Sequence, residues 1–214
     1  MYYIFYYLLI GSALTLSILL TLGGNKRFLW MSILLAITLL VELVAEVLIY
    51  SKMDFVWLYH LFSPIEYFLL SFYLTSEVVV RPLRFTFRLS TMLYGFCSLL
   101  ISISVYQFKT MPSINIGIEG MLVFSLSTYR LFTLEVTDDR TIFLKSDFWI
   151  AISFLIFFGA SSFFFGIYTP LFKLSANNAF SLFGVLVAPL NLLLYSFIII
   201  GLACSIQKKK YIQQ

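Results

Sequence analysis

The sequence has one histidine, two cysteines, five prolines and little charge: Asp, Glu, Lys and Arg make up 11% of its 214 residues, against roughly 25% in an ordinary soluble domain. Each shortage removes a class of function. A lone histidine with Cys97 and Cys204 gives neither a metal-ligand spacing nor a disulfide framework, and both cysteines read as small buried apolar groups. No glycine-rich phosphate loop and no nucleophile elbow occurs. Nothing therefore points to an enzyme, no catalytic residue is assigned, and no nucleic-acid partner is expected. No connector between apolar segments is long enough to hold a soluble domain, so any signalling output would have to come from a separate protein.

What is present is apolar length. Hydrophobic residues make up 61% of the chain and the mean hydropathy is +0.98, the composition of an all-α integral membrane protein. A spanning helix needs about 20 mainly apolar residues. Segments of that kind lie at 2–22, 29–50, 55–75, 89–106, 116–136, 148–168 and 180–204. They predict a single seven-helix transmembrane domain over 1–214. The first segment is apolar from its start and lacks the basic flank of a cleaved signal peptide, so it reads as a permanent span.

Basic residues stay on the cytoplasmic side. Lys26, Arg27, Arg81, Arg84, Arg88, Arg140, Lys145 and Lys208–Lys210 fall in the first, third and fifth connectors and the tail, whereas the other connectors hold Lys52, Lys109 and Lys173 alone. The N-terminus is thus expected outside and the C-terminus inside a plasma (cytoplasmic) membrane. Tyr2, Tyr3, Tyr50, Trp57 and Tyr168 would anchor the outer interface, and Trp30 and Trp149 the inner one. The Arg81–Arg88 loop and the lysine tail would lie against anionic lipid. Gly95, Ser98 and Ser102 share one helix face, and Ser162 and Gly166 form a small-xxx-small pair; both read as packing faces.

Ionisable side chains inside such helices are costly and tend to mark function. By a rise of about 1.5 Å per residue, Glu42 and Glu46 sit on one face in the outer half of the second span. His60 lies in the outer half of the third span and Glu66 near its centre, with Glu119 near the outer interface of the fifth. Two carboxylates four residues apart repel, so Glu42 and Glu46 require a proton or a cation between them. Pro64, between His60 and Glu66, frees a backbone carbonyl and bends the helix; Pro189 is placed likewise in the seventh span. Arg130 is the one basic group at depth, either the charge partner of Glu66 or Glu42 or a side chain snorkelling to the inner headgroups.

The third span reads SPIEYFLLSF from Ser63 and the seventh APLNLLLYSF from Ala188. At one offset Pro64 matches Pro189 and Glu66 matches Asn191, as a parallel duplication of three helices joined by the fourth would leave behind. In that 3+1+3 order Glu66 and Asn191 would face each other at the repeat interface. The order is similar to that of the sugar-transporting PQ-loop proteins, but no Pro-Gln pair occurs in the chain. The helix count is similar to that of microbial rhodopsins, yet the seventh span has no lysine for a Schiff base. No retinal and no other cofactor is predicted. Seven-helix zinc hydrolases of membranes need several histidines, and only a weak His-carboxylate set of Glu46, His60 and Glu119 is conceivable here.

These residues predict an outward-facing polar cavity lined by Glu42, Glu46, His60, Glu66, Glu119 and Asn191 that binds a proton, an ion or a small solute. A transporter is the sharpest form of that reading. A sensor or regulatory subunit acting through a cytoplasmic protein partner, and an assembly scaffold, are the alternatives. The sequence fixes no oligomeric state.

Overall fold

The computed structural model describes residues 2–76, 78, 81–134, 142–174 and 176–212. Among them the chain is all-helical: α1 (Tyr2–Leu22), α2 (Phe28–Tyr50), α3 (Val56–Leu74), α4 (Arg81–Ile101), α5 (Ser113–Phe132), α6 (Ser146–Leu174) and α7 (Ala176–Ile212). In hydrocarbon no water can satisfy a backbone N–H or C=O, and the helix, which pairs them internally, is the structure such apolar runs adopt. Among the described residues five stretches are long and apolar enough to cross a membrane: Ile4–Leu22, Phe28–Tyr50, Arg81–Tyr106, Ser146–Tyr168 and Gly184–Ile206. They mark a multi-pass membrane protein. Helices α3 and α5 fall outside that group because they carry the polar load, His60, Pro64 and Glu66 on one and Asn115, Glu119 and Arg130 on the other.

The helices pack in sequence around a ring. Each of α1, α2 and α3 packs on the next, as do α5, α6 and α7, while α3 meets α5 and α7 returns to α1. Helix α4 lies outside the ring against α3 and meets α5 through side-chain hydrogen bonds more than through close backbone packing. The main core holds Ile10, Phe28, Met31, Tyr67, Leu70, Val123, Phe154, Ile198 and Leu202 between them. Short turns keep neighbours antiparallel. Gly24 takes a φ of +93°, which a side chain would resist, and lets Asn25 N–H close back on the Leu20 carbonyl. Asp54 Oδ1 accepts from the Val56 N–H at 3.0 Å and starts α3.

The tightest seam joins α5 to α6. A Cβ built on Gly120 would lie 2.7 Å from the Ser162 Cβ and 2.8 Å from the Phe158 carbonyl oxygen, so the two backbones meet because glycine faces serine. Gly159 seats the Phe124 ring, and Gly201 of α7 seats Ile150. Of the expected small-residue faces, Ser162 packs as read. Gly166 and Gly95 face open space, and Ser98 and Ser102 are buried as polar groups rather than as spacers.

Other expectations need correction. The stretch Arg81–Arg88, read as a loop, forms the first two turns of α4. Its arginines follow an amphipathic helix repeat, and Pro82 sits in the first turn, where its missing N–H costs nothing. The connector expected at 169–179 is mostly helix, the end of α6 and the start of α7, and α7 runs on through the lysines of the tail. One interface aromatic is buried, Tyr168, which packs with Phe164 and Phe165; Trp30 is half-buried, its ring tilted against Phe72 at 4.9 Å. Arg140 and the side chains of Tyr2, Tyr3, Lys173 and Lys208–Lys210 lie outside the described residues.

Candidate functional site

The polar residues concentrate where α3, α4 and α5 meet. The first half of the cluster is built on His60, fully buried in the first turns of α3. Its Nε2 lies 2.9 Å from the Thr110 carbonyl oxygen and its Nδ1 2.8 Å from Ser102 Oγ. A carbonyl only accepts, so Nε2 carries the hydrogen, and in the neutral ring Nδ1 accepts from Ser102. Asn115 Nδ2 in turn donates to Ser102 Oγ at 3.0 Å and to the Ser98 carbonyl at 3.1 Å. Each hydrogen of this half is accounted for.

Local backbone geometry makes these contacts. Past Ile101, α4 widens into a π-helical turn, Ser102–Tyr106, a distortion often found at functional sites, and it ends on two residues in the left-handed region, Gln107 (φ 50°) and Phe108 (φ 58°). Side chains resist that conformation. The reversal stands Phe108 edge-on to the His60 ring at 5.1 Å and brings Thr110 under Nε2. Tyr106 closes the site by accepting from the Ile114 N–H at 3.0 Å.

The second half is centred on Glu119, 1% exposed. Ser63 Oγ lies 2.6 Å from Glu119 Oε2 and 2.5 Å from the Tyr94 hydroxyl oxygen, which lies 3.0 Å from the Asn115 carbonyl. Three short contacts in series each need one hydrogen. The Asn115 carbonyl only accepts, so Tyr94 donates to it; Ser63 must then donate to Tyr94, and no hydrogen remains between Ser63 and an ionised Glu119. A proton on Glu119 Oε2 completes the row, running from the acid through Ser63 and Tyr94 to the backbone. The other carboxyl oxygen, Oε1, is buried without a partner.

Glu119 is the inner member of an acidic line. Glu66 of α3 lies within electrostatic reach of Glu119 on one side and of Glu42 of α2 on the other. Glu42 in turn feels Glu46, which takes the hydroxyl hydrogen of Tyr7 from α1. Glu42 and Glu66 are half-buried and Glu46 is exposed on the bundle. Of the sequence candidates, then, Glu42, Glu66 and Glu119 form one line, Glu46 ends it, and His60 reaches it through Ser102, Asn115 and Tyr94.

Two candidates stand elsewhere. Asn191 is half-buried on α7, which packs on α6 and α1 rather than α3, so it does not face Glu66. Arg130 does not join the acids: its guanidinium pairs with Asp147 in the first turn of α6, and Arg27 before α2 pairs with the same carboxylate. Arg27 also donates to the Tyr73 hydroxyl at 3.0 Å. This knot ties the ends of α2, α5 and α6 at the end of the bundle opposite His60. Pro64 and Pro189 both sit inside helices that continue through them. Among the described residues no group of three or more His, Cys, Asp or Glu could hold a metal ion. Both His60 nitrogens are engaged as above, so the Glu46, His60 and Glu119 set is not assembled.

Ser63, Tyr94, Ser98, Ser102, Thr110 and Asn115 carry the cluster as much as the acids do. The one sequence signal for them is spacing: Ser98 and Ser102 fall one helical turn apart, on the side of α4 that faces Asn115. No family model, curated protein or solved structure matches the chain. Fold and site define a class, a multi-pass helical membrane protein with a buried acid at the end of a hydrogen-bonded row.

Proposed function

We propose that this is a seven-span protein of the cytoplasmic membrane, N-terminus outside, that binds and passes a proton, alone or with a small polar solute, along Glu119, Glu66 and Glu42. Helices α3 and α5 cross the membrane too, their polar residues shielded by α2, α4 and α6. The alternation of helix ends supports that crossing pattern, with Tyr7, Glu46, His60 and Asn115 at one end and Arg27, Arg130 and Asp147 at the other. The ring order also supports a 3+1+3 origin, because exchanging its halves maps the α3–α5 contact onto α7–α1.

The observation that carries the reading is the hydrogen count at Glu119: two hydroxyl hydrogens for three contacts. An acid whose proton completes a row of hydroxyls is placed to give it up and take it back. Arg27 and Arg130 pair with Asp147 at the other end of the bundle, so a proton or a cation must balance the acids instead. The test is proton flux into liposomes containing the purified protein and an internal pH dye, driven by an imposed potential. Flux above empty liposomes, lost in Glu119→Gln and Glu66→Gln, is expected. Flux equal to empty liposomes, or unchanged in both variants, overturns the proposal.

A further inference from the structure

Helices α2 and α4 both pack on α3, and the side of α3 left between them carries Leu61, Ile65, Phe68 and Phe72, the first three exposed and Phe72 half-buried. At the end of the bundle that holds Arg27, two side chains lean on this strip. Trp30 of α2 lies 4.9 Å from the Phe72 ring and 6.3 Å from Phe68. From the other side the Arg88 guanidinium of α4 sits over Phe72, 4.9 Å from its ring centre. Arg84 spends its guanidinium on the Val78 carbonyl. Arg88 is exposed, and among the described residues its guanidinium meets no carboxylate and no hydrogen-bond acceptor, only the ring. Phe72 is next to the last turn of α3, Trp30 in the first turn of α2 and Arg88 in the second of α4, which puts the guanidinium at headgroup depth and Leu61 about 16 Å farther along the strip.

We infer that Arg88, Phe72 and Trp30 form a seat for one anionic phospholipid, its phosphate on the Arg88 guanidinium and an acyl chain along Phe68, Ile65 and Leu61. A guanidinium lying over an aromatic ring is held by it through one face, and its N–H groups, which lie in the plane, stay free for the two-pronged bond that a phosphate accepts. The ring fixes where that bond forms, as a lysine or an unsupported arginine would not. The strip below is apolar and open to lipid for its whole length, the surface an acyl chain covers. Charge selects the headgroup: Lys26 and Arg81 are exposed at the same end, and Asp147 is taken by Arg27 and Arg130, so a zwitterionic lipid would bring its ammonium against like charge. Ser63 and Glu66 lie elsewhere on α3, and the seat shares no side chain with the proton line and stands or falls without it.

Trp30 is one of three tryptophans, so the test uses the full chain with Trp57→Phe and Trp149→Phe in phosphatidylcholine nanodiscs and reads Trp30 fluorescence. Phosphatidylglycerol brominated on its acyl chains, a contact quencher, is compared with phosphatidylcholine brominated alike. The brominated phosphatidylglycerol should reach half-quenching at about a fivefold lower mole fraction, the ratio one basic residue at the headgroup gives. Arg88→Gln should bring the two lipids level. Arg81→Gln, which removes the same charge from the same helix with no ring reported beneath it, should keep most of the preference. Should the double tryptophan replacement not fold, native mass spectrometry of the unaltered chain and of Arg88→Gln from mixed micelles of the two unbrominated lipids reads the same ratio. Equal quenching or binding by the two lipids, or an equal loss in Arg81→Gln and Arg88→Gln, which is a diffuse charge field only, overturns the inference.

Discussion

Replacing Glu119 by glutamine separates a proton-bearing acid from a buried carboxylate. Glutamine has the same shape and an N–H where the acid has its O–H, so it can donate to Ser63 and leave the row through Tyr94 to the Asn115 carbonyl intact. One hydrogen bond worth about 1 kcal/mol replaces another. Stability should stay within about 1 kcal/mol, or roughly 2 to 4 °C in melting temperature for a chain of this length. Glu119→Leu removes the donor to Ser63 in a site with 1% exposure and should cost about 1 to 3 kcal/mol. Thermal unfolding in mild detergent at neutral pH, followed by circular dichroism, reads both. A glutamine variant that melts more than about 10 °C higher would refute the hydrogen count. It would mean that the native side chain carries an uncompensated charge, whose burial costs several kcal/mol.

Gly120→Val should drive α5 off α6, since even its Cβ would sit 2.7 Å from the Ser162 Cβ; a loss of about 1 to 3 kcal/mol is expected, partly recovered in the double variant with Ser162→Gly, while Gly166→Ala, in open space, leaves the melt unchanged. Gln107→Gly relieves a left-handed residue at the end of the π-helical turn and should stabilise the protein by about 1 kcal/mol, read as a higher melting temperature. Asp147→Asn leaves Arg27 and Arg130 facing each other without the shared carboxylate and should cost on the order of 2 to 4 kcal/mol; Arg130→Gln combined with it should recover part of that loss.

The helices were legible because lipid leaves the backbone little choice: among the described residues each apolar run coincides with most of one helix. Where the reading failed, polarity misled it. Arg81, Arg84 and Arg88 look like a loop by composition, yet their spacing suits an amphipathic start to α4. By composition Asp147 belongs to a connector, which leaves Arg130 only the acids or the inner headgroups to turn to; the ion pair forms because the first turn of α6 packs beside the last turn of α5. Glu42, Glu66 and Glu119 stood out because a carboxylate in an apolar helix is rare. Ser63, Tyr94 and Asn115 did not, since hydroxyls and amides are common in such helices and their role is set by which neighbours they meet. Asn191 matched Glu66 in local sequence, but a ten-residue likeness cannot report that α7 packs away from α3.

The most direct measurement is infrared spectroscopy of the protein in nanodiscs at neutral pH, comparing the native chain with Glu119→Gln and Glu46→Gln. A protonated-carboxyl band component that vanishes in Glu119→Gln and persists in Glu46→Gln is the expected result. A spectrum with no such band, or with one that Glu119→Gln leaves untouched, contradicts a proton held by Glu119 at the head of the Ser63–Tyr94 row.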